Sequence, residues 1–120
     1  MNLFKVETEP LEAGQAVNVI GELDQATVPE LKRVLAEALN VADGAVFVDL
    51  SDCDFIDSTG LSLLVDAERR LSEGGRGFAI CCPRAEVRRL LELTGIDEAV
   101  GMFDTRDAAV AALAQRSSAA

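Results

Sequence analysis

A chain of 120 residues has room for one domain rather than two, and with 49% apolar residues it can close a single core. Its 21 acidic residues against 11 basic ones give a formal net charge of −10, which repels nucleic acid and anionic lipid and favours a protein partner with basic patches. The sequence has no histidine, which removes Ser-His and Cys-His nucleophile pairs.

Taken in chain order, Leu3 to Thr8 and Ala16 to Ile20 read as short strands around a hairpin loop, Pro10 to Gly14. GELD follows, then a helix. Thr27 and Glu30 have capping-box spacing, and Pro29 falls in the first turn. Val28, Leu31, Val34, Leu35, Ala38 and Leu39 recur at helical spacing as one apolar face, and Asp43-Gly44 marks the exit turn. Ala45 to Leu50 is almost wholly apolar, as a central strand covered on both faces would be. A second helix is expected from Ser58 to Ser72. Leu61, Leu64, Val65 and Leu71 face inward, Glu68, Arg69 and Glu73 face outward, and Gly74 and Gly75 stop it. Gly77 to Cys82 reads as a buried strand. Pro83 to Leu93 reads as a third helix with Val87, Leu90 and Leu91 inward and Gly95 closing it. A short strand over Val100 to Phe103 and a last helix, capped by Asp104 or Thr105 and ending near Gln115, complete the pattern. This order predicts an α/β fold, a mixed sheet of about five strands with about four helices. The domain is expected over 1–115 and a frayed tail over 116–120. Whether the helices cover one face of the sheet or both is open at this level.

No apolar run reaches the ~20 residues of a membrane helix, and MNLFKVETEP does not read as a signal peptide. Cys53, Cys81 and Cys82 form no CxxC spacing and read as small buried apolar side chains in a reducing compartment. As neighbours in a strand, Cys81 and Cys82 would point to opposite faces. Asp52, Asp54 and Asp57 form an oxygen-rich group that a Mg²⁺-dependent phosphoryl enzyme would need. Loop acids at a strand end give the same pattern, and no Lys or Arg stands near them in sequence. Arg84, Arg88 and Arg89 are either a phosphate or acidic-partner site or the solvated face of the third helix.

The stretch Asp57-Ser58-Thr59-Gly60-Leu61 lies at a strand-to-helix junction. Ser58 or Asp57 is a good N-cap there. A hydroxyl at that place is on the rim of the sheet, Gly60 offers no side chain to cover it, and free amides of a first helical turn accommodate an anion.

Two segments carry a resemblance. VNVIGELDQATVPEL, Val17 to Leu31, resembles the GELD region of the STAS-domain family of anti-sigma factor antagonists, and VDLSDCDFIDSTGL, Val48 to Leu61, resembles its D-S-[ST]-G-L phosphorylation loop. Pro83 to Ile96 is similar to the family's third helix, so the likeness spans nearly the whole chain. The resemblance implies a cytoplasmic protein that is not an enzyme and carries no cofactor or metal. It binds an anti-sigma factor serine kinase, which supplies the ATP, and so releases a sigma factor. It is switched off by phosphorylation of Ser58 and restored by a serine phosphatase. The implied partner surface comprises Glu22, Asp24, Gln25, Asp57, Ser58, Thr59, Gly60, Leu61 and Ser62, on a monomer or weak dimer. Where the family often has a glycine, this chain has Ser62, and Thr59 is a second candidate acceptor behind Ser58. The alternative within the same fold is a scaffold or transporter-associated subunit without a phospho-switch, for which a phosphorylatable serine has no use.

Overall fold

Strand β1 (Lys5–Leu11) turns at Glu12-Ala13 into antiparallel β2 (Gly14–Leu23), pairing from Lys5↔Ile20 to Leu11↔Gly14. Both strands are longer than expected, and the expected loop tightens to two residues because Pro10 sits in an edge strand, where its missing N–H breaks no ladder. This computed structural model describes residues 3–41 and 44–118, with side chains except at 39, 41 and 115–118. The expected roles of Leu39 and Asp43 therefore lie outside what is described.

Helix α1 (Val28–Val41) crosses to β3 (Ala45–Ile56), which leads into α2 (Ser58–Glu73) and β4 (Phe78–Cys81). Helix α3 (Ala85–Leu93), a single turn α4 (Ile96–Ala99), β5 (Gly101–Phe103) and α5 (Arg106–Ser118) follow. The sheet runs in the order β1-β2-β3-β4-β5, parallel everywhere except the first pair. Helix α4 was not expected: Gly95, at φ 76, closes α3 one residue past its cap Thr94 and at once opens another turn.

The helices cover both faces, unequally. Leu31, Val34, Leu35, Leu64, Leu71, Val87, Leu91 and Ile96 from α1 to α4 pack with Val17, Val19, Val46, Val48, Leu50 and Ile80. Ala109 and Leu113 of α5 pack on the other side with Ala45, Phe47, Ala79 and Cys81. Alternate residues of β3 thus enter opposite cores, which is why its first half reads as continuously apolar. In α2 the buried stripe is Gly60, Leu61, Leu63, Leu64, Ala67 and Leu71. Val65, expected inside, is 37% exposed, because a helix turns ~100° per residue and the stripe is centred on Leu64 and Ala67. Thr105 caps α5, its hydroxyl accepting from the Ala108 amide at 3.0 Å. The helix runs on to Ser118, past the end expected near Gln115.

Candidate functional site

Parallel neighbours β2 and β3 finish side by side, with Leu23 opposite Ile56. Register shifts at Asn18/Ile20 and Gly21/Glu22, with Gly21 at φ 103, re-aim the end of β2 as it enters GELD. A residue with a β-carbon would be strained at that φ. The Asp57 amide then donates to the Leu23 carbonyl at 3.1 Å, joining the two strand ends.

Asp57, and not Ser58, is the N-cap of α2. Its Oδ1 accepts from the amides of Thr59 at 3.0 Å and Gly60 at 3.1 Å and from the Thr59 hydroxyl, while Oδ2 accepts from the Gln25 amide at 3.1 Å. One carboxylate therefore caps the helix and ties the GELD loop to the serine loop. The Thr59 hydroxyl bond, ahead of the backbone amides, holds the Asp57 carboxyl below the ordinary carboxylate range. The expectation that first-turn amides stand free for an anion is corrected: those of Thr59 and Gly60 are taken by Asp57.

The capping box expected at Thr27 and Glu30 does not form. The Thr27 hydroxyl donates to the Glu22 carbonyl at 2.7 Å and accepts from the Asp24 amide at 2.9 Å. Asp24 Oδ1 instead accepts from the amides of Ala26 at 3.0 Å and Thr27 at 3.1 Å, an Asx turn that competes with the box. Glu30 pairs with Arg33.

The fold thus brings Asp24, Gln25, Asp57 and the start of α2 together at one rim. Ser58 and Ser62, one turn apart, are exposed, as is Gln25; Glu22, Asp24, Asp57 and Thr59 are half-buried. Gly60 is buried against Leu23 and Ile56, and Leu61 is 9% exposed. Beside Ser58 a groove of ≈ 460 Å³ is lined by Leu61, Ser62, Val65, Arg69 and Ile96. Val65 and Ile96 were missed as site residues. Periodicity placed Val65 inside, and Ile96 belongs to the unexpected turn α4. Phe55, 48% exposed near the end of β3 and paired with Glu22 of the GELD stretch, was missed too.

The acids suggested as Mg²⁺ ligands do not form one site. Asp52 and Asp54 lie within β3, which runs six residues past its expected end at Leu50, and both pair with Arg84, at 4.0 and 2.5 Å. Asp57 is occupied as a cap. Arg84 also donates to the Ser51 carbonyl at 2.8 Å, and Arg88 pairs with Asp104, so these two cations serve the protein's own acids. Cys53 and Cys81 are buried as expected. Burial pushes the Cys53 thiol up, and that of Cys81 to about 12. Cys82 lies past the end of β4 with φ 59, so the strand alternation that would send it away from Cys81 does not apply.

The STAS domain family model matches residues 7–109. The anti-sigma-B factor antagonist of Staphylococcus aureus is 35% identical over 98 residues, covering 82% of this chain and 90% of the relative. That of Staphylococcus epidermidis gives the same identity and coverage. A crystal structure of an anti-sigma factor antagonist from Mycobacterium paratuberculosis superimposes with a TM-score of 0.84 at 28% identity, over 92% of this chain and 94% of the other.

Proposed function

This chain belongs to the STAS domain family of anti-sigma factor antagonists, and from that premise we propose that its unphosphorylated form docks on an anti-sigma factor serine kinase and releases the sigma factor. The kinase transfers phosphate to Ser58, the modified antagonist lets go, and a serine phosphatase resets it. The protein acts in the cytoplasm as a binding partner and not as an enzyme. Among the described residues no helix is long and apolar enough to cross a membrane.

One observation carries this reading: Ser58 is exposed at the first position of α2, on the rim where Asp57 bonds to both α2 and the GELD loop. A phosphate there adds about −1.5 to −2 charges at neutral pH. With the Thr59 and Gly60 amides already bonded to Asp57, the new charge is not absorbed by the helix start. It projects toward the partner, beside a carboxylate and on a chain of net charge −10. Repulsion and lost complementarity at the contact then loosen the complex without unfolding either protein.

Pull-down with the cognate kinase tests both site and sign. Ser58→Ala is expected to bind like the unmodified chain and to take up no phosphate. Ser58→Asp is expected to bind about 100-fold more weakly, equivalent to about 3 kcal/mol. Phosphate found by mass spectrometry elsewhere than Ser58, or Ser58→Asp binding as tightly as Ser58→Ala, would overturn the assignment.

A further inference from the structure

The sheet face under α5 holds a group that the Ser58 switch does not use. Strand β4 ends at Cys81, buried with Phe47, Ala79 and Ala109. Cys82 follows at φ 59, the one non-glycine residue with a positive φ among those described. That conformation is uncommon for a residue with a β-carbon. The Cys82 amide, donating to the Phe103 carbonyl at 3.0 Å, fastens the residue to β5. The parallel register sets Asp49 of β3 directly opposite Cys81. As a result the two sulfurs and a carboxylate oxygen of Asp49 all lie within 4.8 Å of one another.

We propose that Cys81 Sγ, Cys82 Sγ and Asp49 form a binding site for a thiophilic divalent cation of the zinc type. Two thiolates and one carboxylate supply three of four tetrahedral ligands, and the fourth position is left for water or a partner group. Sulfur ligands favour such ions over Mg²⁺ or Ca²⁺. The distances are compatible: ligands at ~2.3 Å from zinc stand about 3.8 Å apart in a tetrahedron, so the group closes by an ångström or less.

Two thiolates and one carboxylate carry three negative charges; the cation offsets two, and Arg106, whose Nη2 lies 2.9 Å from Asp49 Oδ2, screens the carboxylate while its Nη1 also pairs with the more exposed Glu9. Asp49 Oδ1 accepts from the Ser51 amide at 2.9 Å. A carboxylate offers about four lone-pair directions, so Asp49 has capacity left for a metal. Both thiols release their protons on binding. Cys82 is half-buried, which gives the ion a way in.

Cadmium titration of the full chain, reduced with a phosphine, tests this through the ultraviolet thiolate-to-metal absorption band. One equivalent is expected to bind. Cys82→Ser, at a half-buried position, is expected to remove the band and to lower affinity by more than about 100-fold. Cys53→Ser is expected to bind as wild type, since Cys53 lies in the core on the opposite face of the sheet. Zinc is expected to raise the melting temperature of the wild type but not of Cys82→Ser. X-ray absorption of the zinc-loaded wild type, which needs no variant, is expected to show two sulfur neighbours. No band at one equivalent, a band kept by Cys82→Ser or lost in Cys53→Ser, or a zinc environment without sulfur would each refute the site.

Discussion

A methyl group added at Gly60 would come within 2.9 Å of both Ile56 Cγ2 and Leu23 Cγ, the residues that end β3 and β2. Glycine in D-S-T-G-L therefore lets α2 start tight against the two strand ends, and only then does Asp57 reach amides on both sides. Gly60→Ala should cost about 1–3 kcal/mol by overpacking, read from urea denaturation. It should also weaken partner binding, because the helix start must shift and carry Ser58 with it. At this scale the sequence was legible where chemistry is local. An acid, a hydroxyl and a glycine at a strand-to-helix junction pointed to a cap and an exposed alcohol. The choice of Asp57 as cap and the failure of the Thr27–Glu30 box were not legible. Both turn on competition between neighbouring side chains for the same amides, Asp57 with Ser58 at the start of α2 and Asp24 with Thr27 ahead of α1, while the bond from Asp57 to Gln25, 32 residues away, leaves no mark on local spacing at all.

Among the elements, β3 decides where the site lies. Its apolar first half was plain from composition, but its polar second half, Ser51 to Phe55, reads as a loop and is strand only because β2 pairs alongside to Leu23. Edge and end pairing of this kind is supplied by a neighbour and leaves little mark on local pattern. Helix α5 shows the reverse case: its cap at Asp104 or Thr105 predicted a helix, but not that it would lie alone on the second face of the sheet. Leu113→Ala removes its largest buried anchor, 6% exposed, and should cost about 2–5 kcal/mol by chemical denaturation. Since the serine rim is built from β2, β3 and α2, affinity for the partner should stay near wild type while the protein remains folded.

Across the whole molecule, Arg106 is the tie between α5 and the sheet. It reaches Glu9 of β1 at 3.1 Å, Asn18 of β2 at 2.9 Å and Asp49 of β3 at 2.9 Å. Burial alone would raise the Asp49 carboxyl, but the Ser51 amide and the Arg106 guanidinium outweigh it and hold Asp49 below the ordinary value. A carboxyl lowered in the folded state stabilises the fold above its unfolded pKa of about 3.9, and that support is lost as pH falls through the folded value. Arg106→Met should cost about 1–3 kcal/mol at neutral pH by leaving a buried acceptor short of its partner. It should also flatten the acid limb of stability below about pH 4, and denaturation curves at neutral and acid pH check both effects. The sequence by itself determined the class of fold, the order of its elements apart from the single turn α4, the acidic surface and the serine at the junction, because periodicity, caps and charge act between near neighbours in the chain. Only the tertiary structure decided which face each helix covers, that Asp57 bridges two loops, and that Asp49 meets Cys81 and Cys82. Strand register brings those groups together across tens of residues, and no local spacing encodes that distance.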